Sequence, residues 1–573
     1  MPLTAKRREV ATRAAASARS TSTKEHADRT TRRVRALESE VSRLNDMVDV
    51  LTRLVGDALS SSDGNAYDRD VRAVRVLIDS TLPAGATFAV ISKGDDRLLL
   101  SGGRNGWHFP RNLEGRYAGY YPGDGLAAIA HLEYVRSCGA QWLVVPNAAR
   151  WWFGEYTEFE RHLETHYLLA ADDAVARIYD VRARLDPERS PRARLDGLLR
   201  DLEDATDQTP SVLDLTGWDI AADVNHGIAI EASPSAGRMP YLDDTIDVVV
   251  TCCDSALVDE ARRVARRAVV TLASGDLDSP PGTDARIERL NSISALPSAS
   301  VVIPTYNGAN LVDACMRAIL ETVPRSFDVE IIVADDCSTD DTRAVVAHWS
   351  GCDDRVRLVA NRVNRGFLDN CNAAAESAEG DVLVLLNNDT VPLDGWLTAL
   401  LRTIAHQPNV GVVGGKLLFP DGRLQEAGGA LFKDASGANI GKWDPSPLRP
   451  LYCAAREADY CSGALLATPL PLWRKLGGFD TAFRPAYYED ADYCFRVRDA
   501  GYRVLYQPES VAVHIEGATS GTNLDTGVKR AQVVNRQKFL KKWGDALAER
   551  PSPPDRYDTA TWFALTRRTA ITS

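Results

Sequence analysis

Four stretches recur in one order across the second half of the chain: residues 300–307 (SVVIPTYN), 331–342 (IIVADDCSTDDT), 382–390 (VLVLLNNDT) and 487–504 (YYEDADYCFRVRDAGYRV). A lone His514 follows the last of them. The first three begin as aliphatic or β-branched runs and end in polar or acidic residues. A buried parallel strand has this pattern when it delivers carboxylates to the carboxyl edge of a sheet. Ligands of open α/β sheets bind at that edge. Carboxylates gathered there without a balancing Lys or Arg cluster imply a bound divalent cation, which in turn holds phosphate. The pattern is that of an enzyme handling a nucleotide diphosphate.

From about Ser298 to Trp543 these segments resemble the family 2 glycosyltransferases with the GT-A fold. VVIPTYNG is similar to the family's opening strand and ADDCSTDDT to its nucleotide-base motif. Residues 364–397, NRGFLDNCNAAAESAEGDVLVLLNNDTVPLDGWL, resemble the stretch that ends in its DXD-type metal site. Residues 463–504, GALLATPLPLWRKLGGFDTAFRPAYYEDADYCFRVRDAGYRV, resemble the acceptor region and its ED motif. Four motifs in order make the resemblance specific. It implies a Rossmann-like GT-A catalytic domain, a nucleotide-sugar donor and transfer with inversion.

The resemblance assigns Pro304, Thr305, Tyr306 and Asp336 to the donor base and places Arg365 and Gly366 near the donor. An Asp at a strand end can accept the imide N–H of uracil or thymine, and Tyr306 can pack on its face. Asp335, Asp336, Ser338 and Asp340 equally fit a helix N-cap cluster. The DXD motif reads Asn387, Asn388, Asp389, without its first acid. Asp389 is then the metal ligand, with Asn387 or Asn388 on the ribose and an Asx turn as the alternative. A late histidine of the family lies near the metal or diphosphate, which His514 matches, although a lone His is more often structural. An Asp/His/phosphate sphere suits Mn or Mg.

The resemblance places the catalytic base at Asp490, beside Glu489. Crowded carboxylates raise one another's pKa, and a base so tuned takes the acceptor proton. The same acids also suit a helix N-terminus. Gly463, Asp492 and Trp396 fall on the acceptor side. A processive synthase is expected to carry Q-x-x-R-W, which QKFLKKW (residues 537–543) does not fit, so single addition is favoured.

The remaining sequence bounds the setting. At 573 residues the chain exceeds one core, and its 45% hydrophobic and 25% charged content is that of a globular protein. A net charge of −12 argues against nucleic acid as a partner. No apolar run approaches the roughly 20 residues of a membrane span, and no secretory leader is recognisable. Ten cysteines without a C-x-x-C pair fit reduced thiols in a cytoplasmic protein, at most peripheral to the inner face of a membrane.

The expected organisation is a disordered basic tail (1–30), a coiled-coil helix (31–60), an α/β accessory domain (65–190), a degenerate methyltransferase-like Rossmann stretch (194–275), a linker (276–297), the GT-A domain (298–545) and a tail (546–573). Val34, Leu37, Val41, Leu44, Val48, Leu51 and Val55 form heptads with Val at a and Leu at d, the choice of a parallel dimer. Deleting residues through Leu59 is expected to convert a dimer into a smaller species with turnover intact. Light scattering on the full chain checks this, and a monomer there means that the helix folds back instead. In the methyltransferase-like stretch the turn after Asp214 reads LTGW, short of the glycines a cofactor loop needs. Trp151 and Trp152 fit a core better than a sugar-stacking platform. The leading expectation is a glycosyltransferase serving a surface glycan, a lipid-linked acceptor or a protein. A silent coiled-coil scaffold and a bifunctional glycosyl/methyltransferase are the alternatives.

Overall fold

The structure, a computed structural model, describes residues 66–185, 296–516 and 530–567, together with five strand segments between residues 211 and 289. The heptad and the basic tail lie outside the described residues. The described residues fall into two compact units: residues 66–84 with Leu100–Arg104, and Gly85–Leu99 with the described residues from Asn105 onward. In the first, α1 (Ala66–Thr81) ends beside a return segment fastened by Asp79. Its Oδ1 accepts from Ser101 Oγ at 2.5 Å and Arg104 Nη1 at 3.0 Å.

The second unit opens with a five-stranded sheet of β1 (Thr87–Val90), β2 (Asn105–His108), β3 (Trp142–Pro146), β4 (Leu168–Asp172) and β5 (Ala176–Asp180), in the order β2-β1-β3-β5-β4. The segment RLLLSGG (residues 97–103), which reads as a strand, instead contributes to a 3-10 turn at Asp96–Leu99, and the chain pairs only from Asn105. Asp95 Oδ1 accepts from Arg97 N at 3.0 Å and closes that turn. α2 (Gly125–Ser137) is capped by Asp124, whose Oδ1 accepts from Ala127 N at 2.9 Å. The two tryptophans part ways: Trp152 is fully buried against Phe109 and Tyr156, whereas Trp151 is 41% exposed.

This sheet packs on the carboxy-terminal domain through a buried ionic cluster. Arg184 reaches Asp394 at 2.5 Å and Glu133 at 3.0 Å, His166 reaches Asp394 at 3.1 Å, and His162 reaches Glu133 at 2.7 Å. His162, His166 and Asp394 are close enough together to hold a metal. Arg184 already compensates both carboxylates, so the cluster is complete as ion pairs.

A second sheet comprises β6 (Ser211–Asp214), β7 (Ile228–Ile230), β8 (Ile246–Cys252), β9 (Ala265–Leu272) and β10 (Ala285–Arg289), in the order β10-β9-β8-β6-β7. Its pairs are parallel except β9–β10. β10 falls within the stretch expected as linker. Its pairing supplies hydrogen-bond partners to an edge of β9 that would otherwise lack them. The turn after Asp214 lies outside the described residues.

The carboxy-terminal domain contains β11 (Ala299–Thr305), β12 (Val329–Asp335), β13 (Val356–Ala360), β14 (Val382–Leu386), β15 (Thr390–Pro392), β16 (Val410–Leu418), β17 (Leu424–Ala427), β18 (Gly429–Leu431), β19 (Gly437–Asn439), β20 (Arg456–Glu457), β21 (Leu465–Pro469) and β22 (Arg503–His514). The main sheet runs β13-β12-β11-β14-β21-β16-β22-β15, with β17 on β16 and β20 on β22. β11 to β14 are parallel, and every residue of β11 and β14 is buried, which explains their unbroken aliphatic runs. The connecting helices α3 (Ala309–Thr322) and α4 (Phe367–Glu376) return the chain so that all these strands end on one edge. Among the described residues no helix is long and apolar enough to cross a membrane.

Candidate active site

A cavity of about 1110 Å³ opens at the carboxyl ends of β11, β12 and β14. Pro304, Thr305 and Tyr306 line it from β11, Asn387, Asn388 and Asp389 from beyond β14, and Glu489 and Asp490 from the start of α5 (Glu489–Asp499). Asp336, Gly366, Gly463 and His514 also face it. Register explains much of this gathering. Thr305 pairs with Asp335, and Asp336 N donates to Thr305 O at 2.7 Å. Thr390 pairs with His514, and Ile515 N donates to Asp389 O at 3.0 Å, so β15 and β22 hold Asp389 and His514 side by side.

Asp389 is 4% exposed, and its Oδ1 lies 3.3 Å from His514 Nε2 without a hydrogen bond to it or to any other group. Gln425 on β17 sets the histidine. Its Nε2 donates to His514 O at 3.3 Å, which turns its Oε1 toward His514 Nδ1 at 2.7 Å. Nδ1 then carries the proton, and Nε2 presents a lone pair beside the unpaired carboxylate oxygen. Two electron-rich atoms facing each other fit a bound cation. Asn387 Oδ1, Asn388 Nδ2 and Glu489 Oε2 are likewise buried without partners. Unsatisfied polar groups are rare in native proteins. Here four residues bearing such atoms line one cavity.

The other assigned residues divide. Asp336 is 3% exposed and accepts from Asn361 Nδ2 at 2.9 Å, Arg365 N at 2.8 Å and Gly366 N at 2.8 Å. It seats the loop that enters α4, and any base contact has to share this carboxylate. Arg365 contributes its backbone N–H there, while its side chain is exposed. Asp340 Oδ2 accepts from Gly308 N at 2.8 Å at the start of α3, and Asp335 pairs with Arg343 at 2.6 Å, so both are structural.

Two acceptor-side expectations require correction. Trp396 is fully buried in the core, its Nε1 donating to Thr322 Oγ1 at 3.1 Å. Asp492 is also fully buried and held by Arg496 at 2.8 Å, Lys542 at 2.7 Å and Trp543 Nε1 at 2.8 Å. Two residues along a helix are about 200° apart around its axis, so Asp490 and Asp492 face different surroundings.

Asp490 Oδ2 accepts from Gly463 N at 3.2 Å and Oδ1 from Ala491 N at 2.7 Å. Burial raises its pKa. Burial, then the charge of Asp490, holds Glu489 well above the usual carboxylate range. The approach to this pair is strained, since Tyr487 and Tyr488 both have φ of 74°, unusual for aromatic residues. Buried Asn535 keeps that turn in place, its Nδ2 within reach of the carbonyls of Phe483 (2.6 Å), Ala486 (2.9 Å) and Tyr487 (3.0 Å).

Sequence reasoning missed Gln425, Glu426 and the lining residues Gln532, Tyr557 and Trp562 of the carboxy-terminal segment. The segment LQEAGG carries no strand-end or spacing signal that marks it. Glu426 accepts from Ser462 N at 3.1 Å, and burial, with Asp490 adding, pushes its carboxyl from 4.5 up to about 8. In that interval the folded state keeps a proton that the unfolded chain has released, so this group's contribution to stability declines as pH rises. Glu426→Gln is therefore expected to gain on the wild type between about pH 5 and about pH 8, at up to about 1.4 kcal/mol per pH unit, and to level off above. Melting temperatures across that range check it, and a gap independent of pH refutes it.

An acidic sheet edge opening into one deep cavity defines an α/β enzyme domain, and comparison with known proteins narrows the class. Residues 300–443 match the model for glycosyl transferase family 2. The uncharacterized protein MT1568 of Mycobacterium tuberculosis is 34% identical over 269 residues, covering 45% of this chain and 79% of its own. The GalNAc(5)-diNAcBac-PP-undecaprenol beta-1,3-glucosyltransferase of Campylobacter jejuni is 33% identical over 144 residues, 24% of this chain and 45% of its own. A solved structure of GalNAc-T7 with UDP, GalNAc and Mn2+ aligns over 44% of this chain and 50% of its own, at 18% identity and a TM-score of 0.37. The carboxy-terminal domain thus contains a glycosyl transferase family 2 domain over residues 300–443. The chain spans under half the length of several curated relatives that it matches.

Proposed function

We propose that the protein is an inverting, metal-dependent GT-A glycosyltransferase that moves a sugar from a nucleotide diphosphate to a hydroxyl acceptor in surface polysaccharide or glycoconjugate biosynthesis. The observation that carries this reading is the unpaired Asp389 oxygen beside His514 Nε2, on the same cavity as Asp490. Asp389 and His514 would hold a Mn or Mg ion, with Gln425 fixing the imidazole. When bound, the ion supplies charge neutralisation on the diphosphate. Tyr306, 48% exposed at the end of β11, offers a face for the donor base, and Asn387 and Asn388 offer unpaired amide atoms to the ribose.

Asp490 takes the acceptor proton as the hydroxyl attacks the anomeric carbon opposite the leaving diphosphate. One displacement inverts the configuration. Its hydrogen bonds from Gly463 N and Ala491 N fix the carboxylate in place, and its raised pKa makes it a stronger base. While ionised, Asp490 also stabilises positive charge developing on the sugar ring. Calorimetry with uridine, thymidine and guanosine diphosphate sugars, with and without Mn, tests the proposal. Binding of at least one donor that strengthens with the metal is expected, and binding indifferent to metal overturns it. Uracil or thymine donors are the proposed class. The guanosine donor is included because Asp336 is already shared with the loop.

A further inference from the structure

We infer that Tyr557, backed by Trp562, is a stacking platform for a neutral pyranose ring, making a glycan the acceptor of the proposed transfer. The inference rests on that reading of the cavity, but Tyr557 and Trp562 themselves lie beyond the 300–443 family match. The segment after α6 (Arg530–Leu547) returns to the cavity rather than trailing away. Arg550 pairs with Asp459 at 2.5 Å, Lys433 N donates to Pro551 O at 2.9 Å, and Asp558 starts α7 (Thr559–Arg567) by accepting from Thr561 N at 2.9 Å. Tyr557 and Trp562 then join the cavity lining.

The two rings stack with centroids 5.2 Å apart and planes 27° apart. Trp562 is 5% exposed and forms the support, while Tyr557 keeps 48% of its surface open. A chain of contacts links this platform to the base. Tyr557 lies 6.2 Å from Phe432, Tyr488 OH donates to Ala435 O at 2.8 Å within the same β18–β19 hairpin, and Tyr488 immediately precedes Glu489 and Asp490. The other large exposed ring on the lining outside the donor strands, Trp443, stacks on Phe419 at 3.9 Å and has the cations of Arg423 and Lys442 at 4.8 and 5.7 Å from its centroid, whereas the described cation contacts include none on Tyr557.

Charge identifies the occupant. The lining carries Glu489, Asp490, Glu426 and Glu516. Among the described residues Lys442 is its one Lys or Arg, and it is paired with Glu516 at 3.2 Å. Such a wall disfavours an anionic headgroup on the acceptor. A sugar ring instead offers an apolar C–H face to an aromatic ring and hydroxyls to the carboxylates, the mixed recognition of small-ligand pockets.

Saturation-transfer NMR on the full chain tests this with panels of methyl and octyl pyranosides as probes, beside calorimetry of nucleoside diphosphates with Mn. At least one methyl pyranoside should receive saturation on its ring C–H protons. Tyr557→Ala should weaken that binding about tenfold and Tyr557→Phe should preserve it, because the stack needs the ring and not the hydroxyl. Metal-dependent nucleotide binding should be unchanged in both variants, and this also reports that they are folded. Saturation confined to the octyl chain, no saturation with any methyl pyranoside, or full binding by Tyr557→Ala each overturn the platform. If pyranosides behave as expected while no nucleoside diphosphate binds with Mn, the platform stands and the transferase reading fails.

Discussion

Replacing Asp490 by Asn is expected to lower turnover by about two to four orders of magnitude while donor affinity changes little. The amide keeps the shape of the carboxylate, and its one oxygen can keep one of the two bonds that hold the wild-type side chain, from Gly463 N to Oδ2 or from Ala491 N to Oδ1. What it lacks is the ability to take the acceptor's proton. The donor contacts assigned to Tyr306, the Asn387–Asn388 pair and Asp389 lie on other strands and should survive. Single-turnover rates and calorimetric donor affinity, measured on the same preparation, decide the matter. A loss of donor binding comparable to the loss of turnover moves Asp490 from base to donor or metal ligand. Unchanged turnover makes Glu489 the candidate, since Asp492 is engaged by Arg496, Lys542 and Trp543.

The wild-type rate should also rise with pH through the raised pKa of this pair, because the base works only when deprotonated. Burial is the first cause of the shift in both residues. The variant loses that limb of the profile. Glu489 and Asp490 share a site, so the rise belongs to the pair rather than to either carboxyl alone.

Asp389→Ala is expected to abolish transfer and, with it, the metal-enhanced part of nucleotide binding. A hard cation at this site has Asp389 as its carboxylate ligand, and the imidazole of His514 alone is a poor substitute. The substitution also removes a buried carboxylate oxygen that has no hydrogen-bond partner. Without metal the variant should therefore melt no lower than the wild type, since an uncompensated buried charge is a cost. Manganese should raise the melting temperature of the wild type only. Metal-dependent nucleotide binding retained by Asp389→Ala removes the site from Asp389, and a collapse of metal-free stability assigns the residue a structural role instead.

The aliphatic runs VVI, IIVA and VLVLL, each ending in Thr, Asp or Asn, are local patterns, and they sufficed to place three buried parallel strands and the edge that carries the site. Asp389 and Asp490 were singled out by the family resemblance of their motifs, and both line the cavity. Pairing between distant strands is not local. His514 meets Asp389 only because β15 and β22 pair in the register Thr390 to His514, and Gln425 reaches the imidazole only because β17 adds to the far side of β16. The tertiary structure alone decided which way a helix faces: Asp490 turns to the cavity and Asp492 to a cluster of Arg496, Lys542 and Trp543, although both belong to one acidic run. It likewise buried Trp396, left Trp151 exposed beside buried Trp152, and brought Tyr557 and Trp562 back to the cavity. Periodicity and charge along the chain fix elements and their ends. The surroundings of a side chain depend on residues far away in sequence, which meet it only once the core has closed.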